Sequence, residues 1–120
     1  MKLIVAGSRN CDTAQDYKLV EKALNKLKPS EIVSGCAKGP DSFGEWYAKE
    51  NNISLKLFAA NWKLYGRGAG YKRNIQMAEY ANSLLYLWDG KSKGTKHMID
   101  SAKKYGLTIF DVKEIQFLNN

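Results

Sequence analysis

Short apolar runs that end at glycine or a small polar residue alternate along the chain with stretches whose apolar residues recur three and four positions apart. The first run, Lys2 to Ala6 ending at Gly7, contains β-branched residues and fits a buried strand. Tyr17, Val20, Ala23, Leu24 and Leu27 then mark one helical face, with Lys18, Glu21, Lys22 and Lys26 opposite, and Pro29-Ser30 stops it. Glu31 to Ser34 is a second strand, ending at Gly35. Pro40 suits the first turn of a helix running to Glu50, because its missing N–H is not needed there, and Asn51-Asn52 ends that helix. Ile53 to Ala60 is a third strand. Residues 61–70, rich in Gly, Trp and Tyr, read as a loop before a helix from Tyr71 to Ala81 with Ile75, Ala78 and Ala81 facing inward. Ser83 to Trp88, nearly all apolar, predicts a central strand. Thr95 is the expected N-cap of a helix carrying Met98, Ile99, Ala102 and Tyr105 and ended by Gly106. Leu107 to Val112 is a fifth strand, and a short tail closes the chain.

Five strands alternating with helices predict an α/β fold in one domain: a doubly wound, mostly parallel five-stranded sheet with helices on both faces. Ligands of such folds sit outside the carboxyl ends of the strands. Four consecutive strand ends here carry glycines or polar groups: Gly7-Ser8-Arg9, Gly35 to Asp41, Ala60-Asn61-Trp62 and Asp89 to Thr95.

Composition narrows the class. With 120 residues and 44% hydrophobic content the chain can bury one core without disulfides or a structural metal, and it is too apolar for disorder. No apolar run approaches the roughly 18 residues of a transmembrane helix, and Met1 to Gly7 lacks the features of a signal peptide. Cys11 and Cys36 are too few and too separated for a disulfide framework or a zinc site, so a reducing cytoplasm is the simplest expectation. The formal net charge is +7, and its location matters more than its size. Residues 1–60 hold nine Lys/Arg and seven Asp/Glu, residues 61–105 nine and three, and residues 106–120 one and two. The basicity is concentrated around two glycine-containing turns.

Each turn has its own chemistry. Ser8 and the Arg9 guanidinium can meet a phosphate, although a strand-ending glycine with a solvated arginine gives the same string. Gly35, Lys38 and Gly39 precede a helix N-terminus, where backbone N–H groups and the dipole favour an anion. Asp41 in that first turn either complements the dipole or accepts hydrogen bonds from a ribose. In Trp62 to Asn74, three glycines (66, 68 and 70) permit close approach, while Arg67, Lys72 and Arg73 bring cations to a helix start, where the dipole disfavours them. That placement points to an anionic partner. Arg73, Asn74 and Met77 share or border one helical face. Trp62 and Tyr65 either stack on a base or close a core edge. Asp89-Gly90-Lys91-Ser92-Lys93-Gly94-Thr95 is a second strand-to-helix turn with hydroxyls and lysines for a phosphate. His97 and Cys36 have no partners marking them as a catalytic base or an activated thiol.

Taken in order, the strings G-S-R, S-G-C-A-K-G-P-D, A-A-N-W, Y-G-R-G-A-G-Y-K-R-N-I-Q-M and W-D-G-K-S-K-G-T resemble the small YspA/YpsA-related branch of the SLOG superfamily, over about Val5 to Ala102. The resemblance implies a Rossmann-like domain, here residues 1–120, that binds nucleotides or nucleotide-derived ligands. The superfamily includes the LOG phosphoribohydrolases, which split a base from a nucleoside monophosphate, and the DNA-binding DprA proteins. LOG enzymes carry P-G-G-x-G-T-x-x-E. Gly94-Thr95 match its phosphate-holding Gly-Thr, Lys91-Ser92 after Asp89-Gly90 replace Pro-Gly-Gly, and Met98 stands at the catalytic Glu. Arg73 resembles the arginine that precedes that motif.

The leading expectation is a cytoplasmic binding protein, of sensor or sequestering type, for a nucleotide or nucleotide-derived molecule such as an NAD- or ADP-ribose-type ligand, with no cofactor, metal or membrane partner. Its candidate ligand-binding residues are Gly7, Ser8, Arg9, Gly35, Lys38, Gly39, Asp41, Trp62, Arg67, Lys72, Arg73, Asn74, Asp89, Gly90, Ser92, Gly94 and Thr95. One alternative is a nucleoside 5′-monophosphate N-glycosidase of LOG type, weakened because a methionine does no acid–base work. Another is a DprA-like nucleic-acid-binding module, disfavoured because the cations lie beside glycine turns rather than along one helix face. Relatives in the superfamily often form dimers, so a homo-oligomer stays open.

Overall fold

The computed structural model describes residues 1–115. Five strands, β1 (Lys2–Gly7), β2 (Glu31–Ser34), β3 (Ser54–Leu57), β4 (Ser83–Leu87) and β5 (Thr108–Asp111), form one sheet in the order β3-β2-β1-β4-β5 with every neighbouring pair parallel. Among the described residues six α-helices accompany them: α1 (Ala14–Leu27), α2 (Pro40–Glu50), α3 (Trp62–Tyr65), α4 (Ala69–Tyr80), α5 (Lys93–Lys104) and α6 (Val112–Ile115). Successive residues of β1 serve opposite faces, as the period of a strand requires. Leu3 and Val5 pack with Val20 and Leu24 of α1, Phe43 and Tyr47 of α2 and Val112 and Ile115 of α6. Ile4 and Ala6 pack on the other face with Met77 and Ala78 of α4 and Met98 and Ile99 of α5. The expected doubly wound α/β architecture is the one observed.

Several boundaries differ from the sequence reading. The third strand spans 54–57 rather than 53–60, because its partner β2 ends at Ser34, opposite Leu57, and only Phe58 N–H still reaches the Ser34 carbonyl, at 2.8 Å. The fifth strand is trimmed to its pairing with Ser83–Tyr86, and Val112 instead opens α6. The remainder of the expected tail, residues 116–120, lies outside the described residues. Residues 61–70 are not a loop. Asn61 caps α3 by accepting from Leu64 N–H at 3.1 Å, and a single 3-10 turn, Gly66–Gly68, leads into α4. On α4 the inward face is Asn74, Met77 and Ala78, and Ile75 is exposed. Thr95 does not cap α5. Ser92 does, its hydroxyl accepting from Thr95 N–H. Strand β4 is interior, but the middle of the sheet is β1. Among the described residues no helix is long and apolar enough to cross a membrane.

Candidate functional site

The chain runs β1-β2-β3 to one side of the sheet and β4-β5 to the other, so the strand order reverses between β1 and β4, the position where open α/β sheets leave a crevice at their carboxyl ends. A cavity of about 480 Å³ lies there. Its floor is apolar, made by Ala6, Met77 and Met98. Ser8, Arg9 and Asn10 enter from β1, Ala37 and Asp41 from the segment after β2, and Trp62 and Arg67 from the segment before α4. Gly70, Tyr71, Arg73 and Asn74 come from α4, and Asp89, Ser92, Gly94 and Thr95 from the β4–α5 turn.

Tight backbone contacts close the base of this crevice. A Cβ on Gly7 would lie 2.3 Å from the Leu87 carbonyl oxygen and 2.5 Å from Pro40, so only glycine lets β4 and α2 converge at the tip of β1. Gly39, at φ +82°, caps α2 with its α-carbon against the Ser8 carbonyl, where an added Cβ would be 2.9 Å away.

Both turns flanking β1 are held by a carboxylate of the chain itself. Asp41, 4% exposed, accepts from Gly35 N–H at 3.1 Å and Ala37 N–H at 3.4 Å through Oδ2. Burial raises its pKa to about 6, against the opposing pull of those two amides and the Arg73 charge. Asp89 Oδ1 accepts from Lys91 N–H and Ser92 N–H, both at 2.8 Å, and from the Ser8 hydroxyl at 3.1 Å. The Ser92 and Lys91 amides hold its carboxyl down at about 2. Ser8 Oγ also receives Asp89 N–H at 3.1 Å and lies 3.4 Å from Thr95 Oγ1, which donates to Ser92 Oγ at 3.2 Å.

Arg73 crosses from α4 to the end of β2. Its Nη1 donates to the Gly35 carbonyl and its Nε to Asn74 Oδ1 at 3.1 Å, and the glycine at 35 leaves room for the guanidinium, which lies 3.0 Å from where a Cβ would stand. Asn74, 5% exposed, donates in turn to the Gly94 carbonyl at 3.3 Å and faces His97 Nδ1 at 3.2 Å, joining α4 to α5. His97 stacks on Tyr71 with ring centroids 4.1 Å apart, and burial lowers its pKa, with Asp100 opposing.

Of the candidate residues, Gly35, Lys38, Gly39, Lys72 and Gly90 do not line the cavity. Gly35 and Gly39 shape its wall. Lys38 and Gly90 are exposed beside it. Lys72 turns away, its Nζ 4.4 Å over the Tyr65 ring, beside a smaller depression of about 220 Å³ that shares only Arg73 with the main one. Trp62 is 55% exposed at the rim, with its ring 3.4 Å from where a Cβ on Gly70 would stand. Asn10 and Tyr71 also line the cavity, and sequence reasoning gives neither a place in the site. Tyr71 stands three positions before Asn74, a helical spacing that could have marked it. The Cys36 thiol is pushed up by burial and the Glu45 and Asp41 carboxylates, which is the opposite of activation.

The Gene 61 protein of Mycobacterium phage D29 is 29% identical over 86 residues, which is 67% of this chain and 69% of that protein. The X-ray structure of DNA processing protein A (DprA) from Streptococcus pneumoniae matches with a TM-score of 0.77 at 22% identity, covering 92% of this chain and 49% of that one. The chain thus spans about half the length of that protein, and the likeness is one of fold. Residues 1–65, which supply the Gly-Ser-Arg tip, the Asp41-held turn and Trp62, match the family described as YAcAr: YspA, cpYpsA-related SLOG family. By that match this Rossmann-like chain belongs to the YspA, cpYpsA-related branch of the SLOG proteins.

Proposed function

We propose that this chain, acting as one domain, binds a nucleotide or nucleotide-derived small molecule, of NAD or ADP-ribose type, as a cytoplasmic sensor or sequestering protein. The observation that carries the reading is the cavity between β1 and β4, where Arg9, Arg67 and Arg73 stand over a floor of Ala6, Met77 and Met98 with Trp62 at the rim. Arginines suit phosphate oxygens, the apolar floor and the indole suit a base, and the volume lies within the usual range for small-molecule sites. Calorimetry of the ligand-free protein against a nucleotide panel tests this. At least one member is expected to bind, with Arg73→Ala weakening it by about tenfold or more, as loss of a charge-assisted contact does. Absence of binding by every member sinks the proposal.

A second reading, LOG-type cleavage of a nucleoside monophosphate, draws on one observation. Met98 leaves no carboxylate at the matching position, but Asp41 reaches the same cavity with a pKa of about 6, suited to proton exchange near neutrality. Base release that Asp41→Asn abolishes would favour it over simple binding.

A further inference from the structure

His97, the only histidine of the chain, does not line the cavity, yet it bonds to a residue that does. Asn74 is buried and holds two groups of the site at once. Its Oδ1 accepts from Arg73 Nε at 3.1 Å, and its Nδ2 donates to the Gly94 carbonyl at 3.3 Å. Neither partner can exchange roles, because a guanidinium only donates and a carbonyl only accepts. The amide orientation is therefore fixed, and it leaves the other Nδ2 hydrogen for His97 Nδ1, 3.2 Å away. Nδ1 must accept, so the ring proton belongs on Nε2. A proton on Nδ1 would set two donors face to face in a buried junction, and the amide could relieve this only by releasing Arg73 or Gly94. The ring is itself held by its stack on Tyr71, with centroids 4.1 Å and planes 10° apart.

Both groups joined by Asn74 bear on an anion. Arg73 Nη1 is tied to the Gly35 carbonyl, while Nη2 lies 3.7 Å from where a Cβ on Gly70 would stand, at the cavity lining. Gly94 belongs to the first turn of α5, where Asp89 and Ser92 take the Lys91, Ser92 and Thr95 amides and leave those of Lys93 and Gly94 outside their bonding. We infer that His97 is the positioning residue of the site: as a neutral imidazole with its proton on Nε2, it accepts from Asn74 and so holds Arg73 and the Gly94 turn in one anion-binding arrangement. The inference rests on the nucleotide reading above only for what that arrangement binds.

The ring nitrogen shifts of wild-type His97 give the first test, at about pH 8, above the ordinary histidine range. A bare Nδ1 and a protonated Nε2 are expected, and the opposite tautomer overturns the inference. Two variants then separate positioning from packing. His97→Phe keeps a ring for Tyr71 and loses the acceptor. His97→Asn loses the ring and keeps an oxygen on the same γ-carbon, where Nδ1 stood. Calorimetry with adenosine 5′-monophosphate is expected to show binding weakened by about threefold or more in His97→Phe and within about twofold of wild type in His97→Asn. The Arg73 Nε–H signal reads the same ranking without ligand: slow solvent exchange in the wild type and His97→Asn, faster in His97→Phe. A result in which His97→Asn holds nucleotide and Arg73 no better than His97→Phe overturns the inference, because the stack on Tyr71 then suffices. Absence of nucleotide binding by the wild type counts against the nucleotide reading, and the ring and Arg73 signals then decide this one.

Discussion

Asp41 is the most informative single residue, because its environment pulls its protonation in two directions. Burial raises its pKa from 3.8 to about 6, although the Ala37 and Gly35 amides and the Arg73 charge all favour the carboxylate. A folded-state pKa above the unfolded one means that its contribution to stability is complete below 3.8 and is lost as the pH rises through about 6. Holding the charge at neutral pH therefore opposes folding by roughly 3 kcal/mol. Asp41→Asn keeps an oxygen for the two amides and removes the charge. Relative to wild type it is expected to gain stability at about pH 7.5 and little at about pH 4, read by urea unfolding at each pH. An equal effect at both would show that the carboxyl is not the group concerned. His97 titrates in the opposite sense. Its lowered pKa means that stability falls as the pH drops from 6.5 through the folded value, which is why wild type and variant must be compared at the same pH.

At the level of elements, the strands, α1 and α2 were readable because glycine, proline and the apolar periods agree about them. Sites of tertiary compromise were not. Ile75 looked inward because apolar residues were counted, but Asn74 occupies the buried face of α4 in order to bridge Arg73 Nε and the Gly94 carbonyl. Ser92 and Thr95 are both residues of the type that caps helices, so the cap position is not decided by residue type alone. Asp89, by taking the Lys91 and Ser92 amides, shapes the turn that leaves Ser92 at the cap position. The glycine turns are legible as site walls, but the amides of Gly35, Ala37, Lys91 and Ser92 are taken by Asp41 and Asp89, and sequence spacing does not say which acceptor wins a shared donor. The Asn74 bridge carries its own prediction. Asn74→Ala leaves the Gly94 carbonyl and Arg73 Nε without this partner at the α4–α5 junction, and is expected to lower stability by about 1–3 kcal/mol. Amide exchange should rise first in α4 and the start of α5. Unchanged urea midpoints would mean that the junction is held by packing alone.

For the molecule as a whole, the net charge of +7 suggests a polyanion until it is placed on the fold. Residues 61–105 hold nine Lys/Arg against three Asp/Glu, yet from that segment only Arg67 and Arg73 line the cavity, joined by Arg9. Lys63, Lys72, Lys91 and Lys93 are exposed outside it. A small phosphorylated ligand needs only the arginines, whereas a nucleic acid would have to recruit the outer lysines as well. Salt separates the two. Raising the ionic strength from about 50 to about 200 mM is expected to weaken nucleotide binding by about tenfold or less, while DNA held through 6–10 phosphates would lose roughly 10³–10⁵ in affinity. The combined variant Lys63→Gln, Lys91→Gln, Lys93→Gln should leave nucleotide affinity within about twofold and remove whatever DNA retention the wild type shows, because released counterions scale with the cations engaged. If nucleotide binding instead collapses with those three lysines, the cavity arginines are not where the phosphate sits, and the site lies on the outer face of the basic segment.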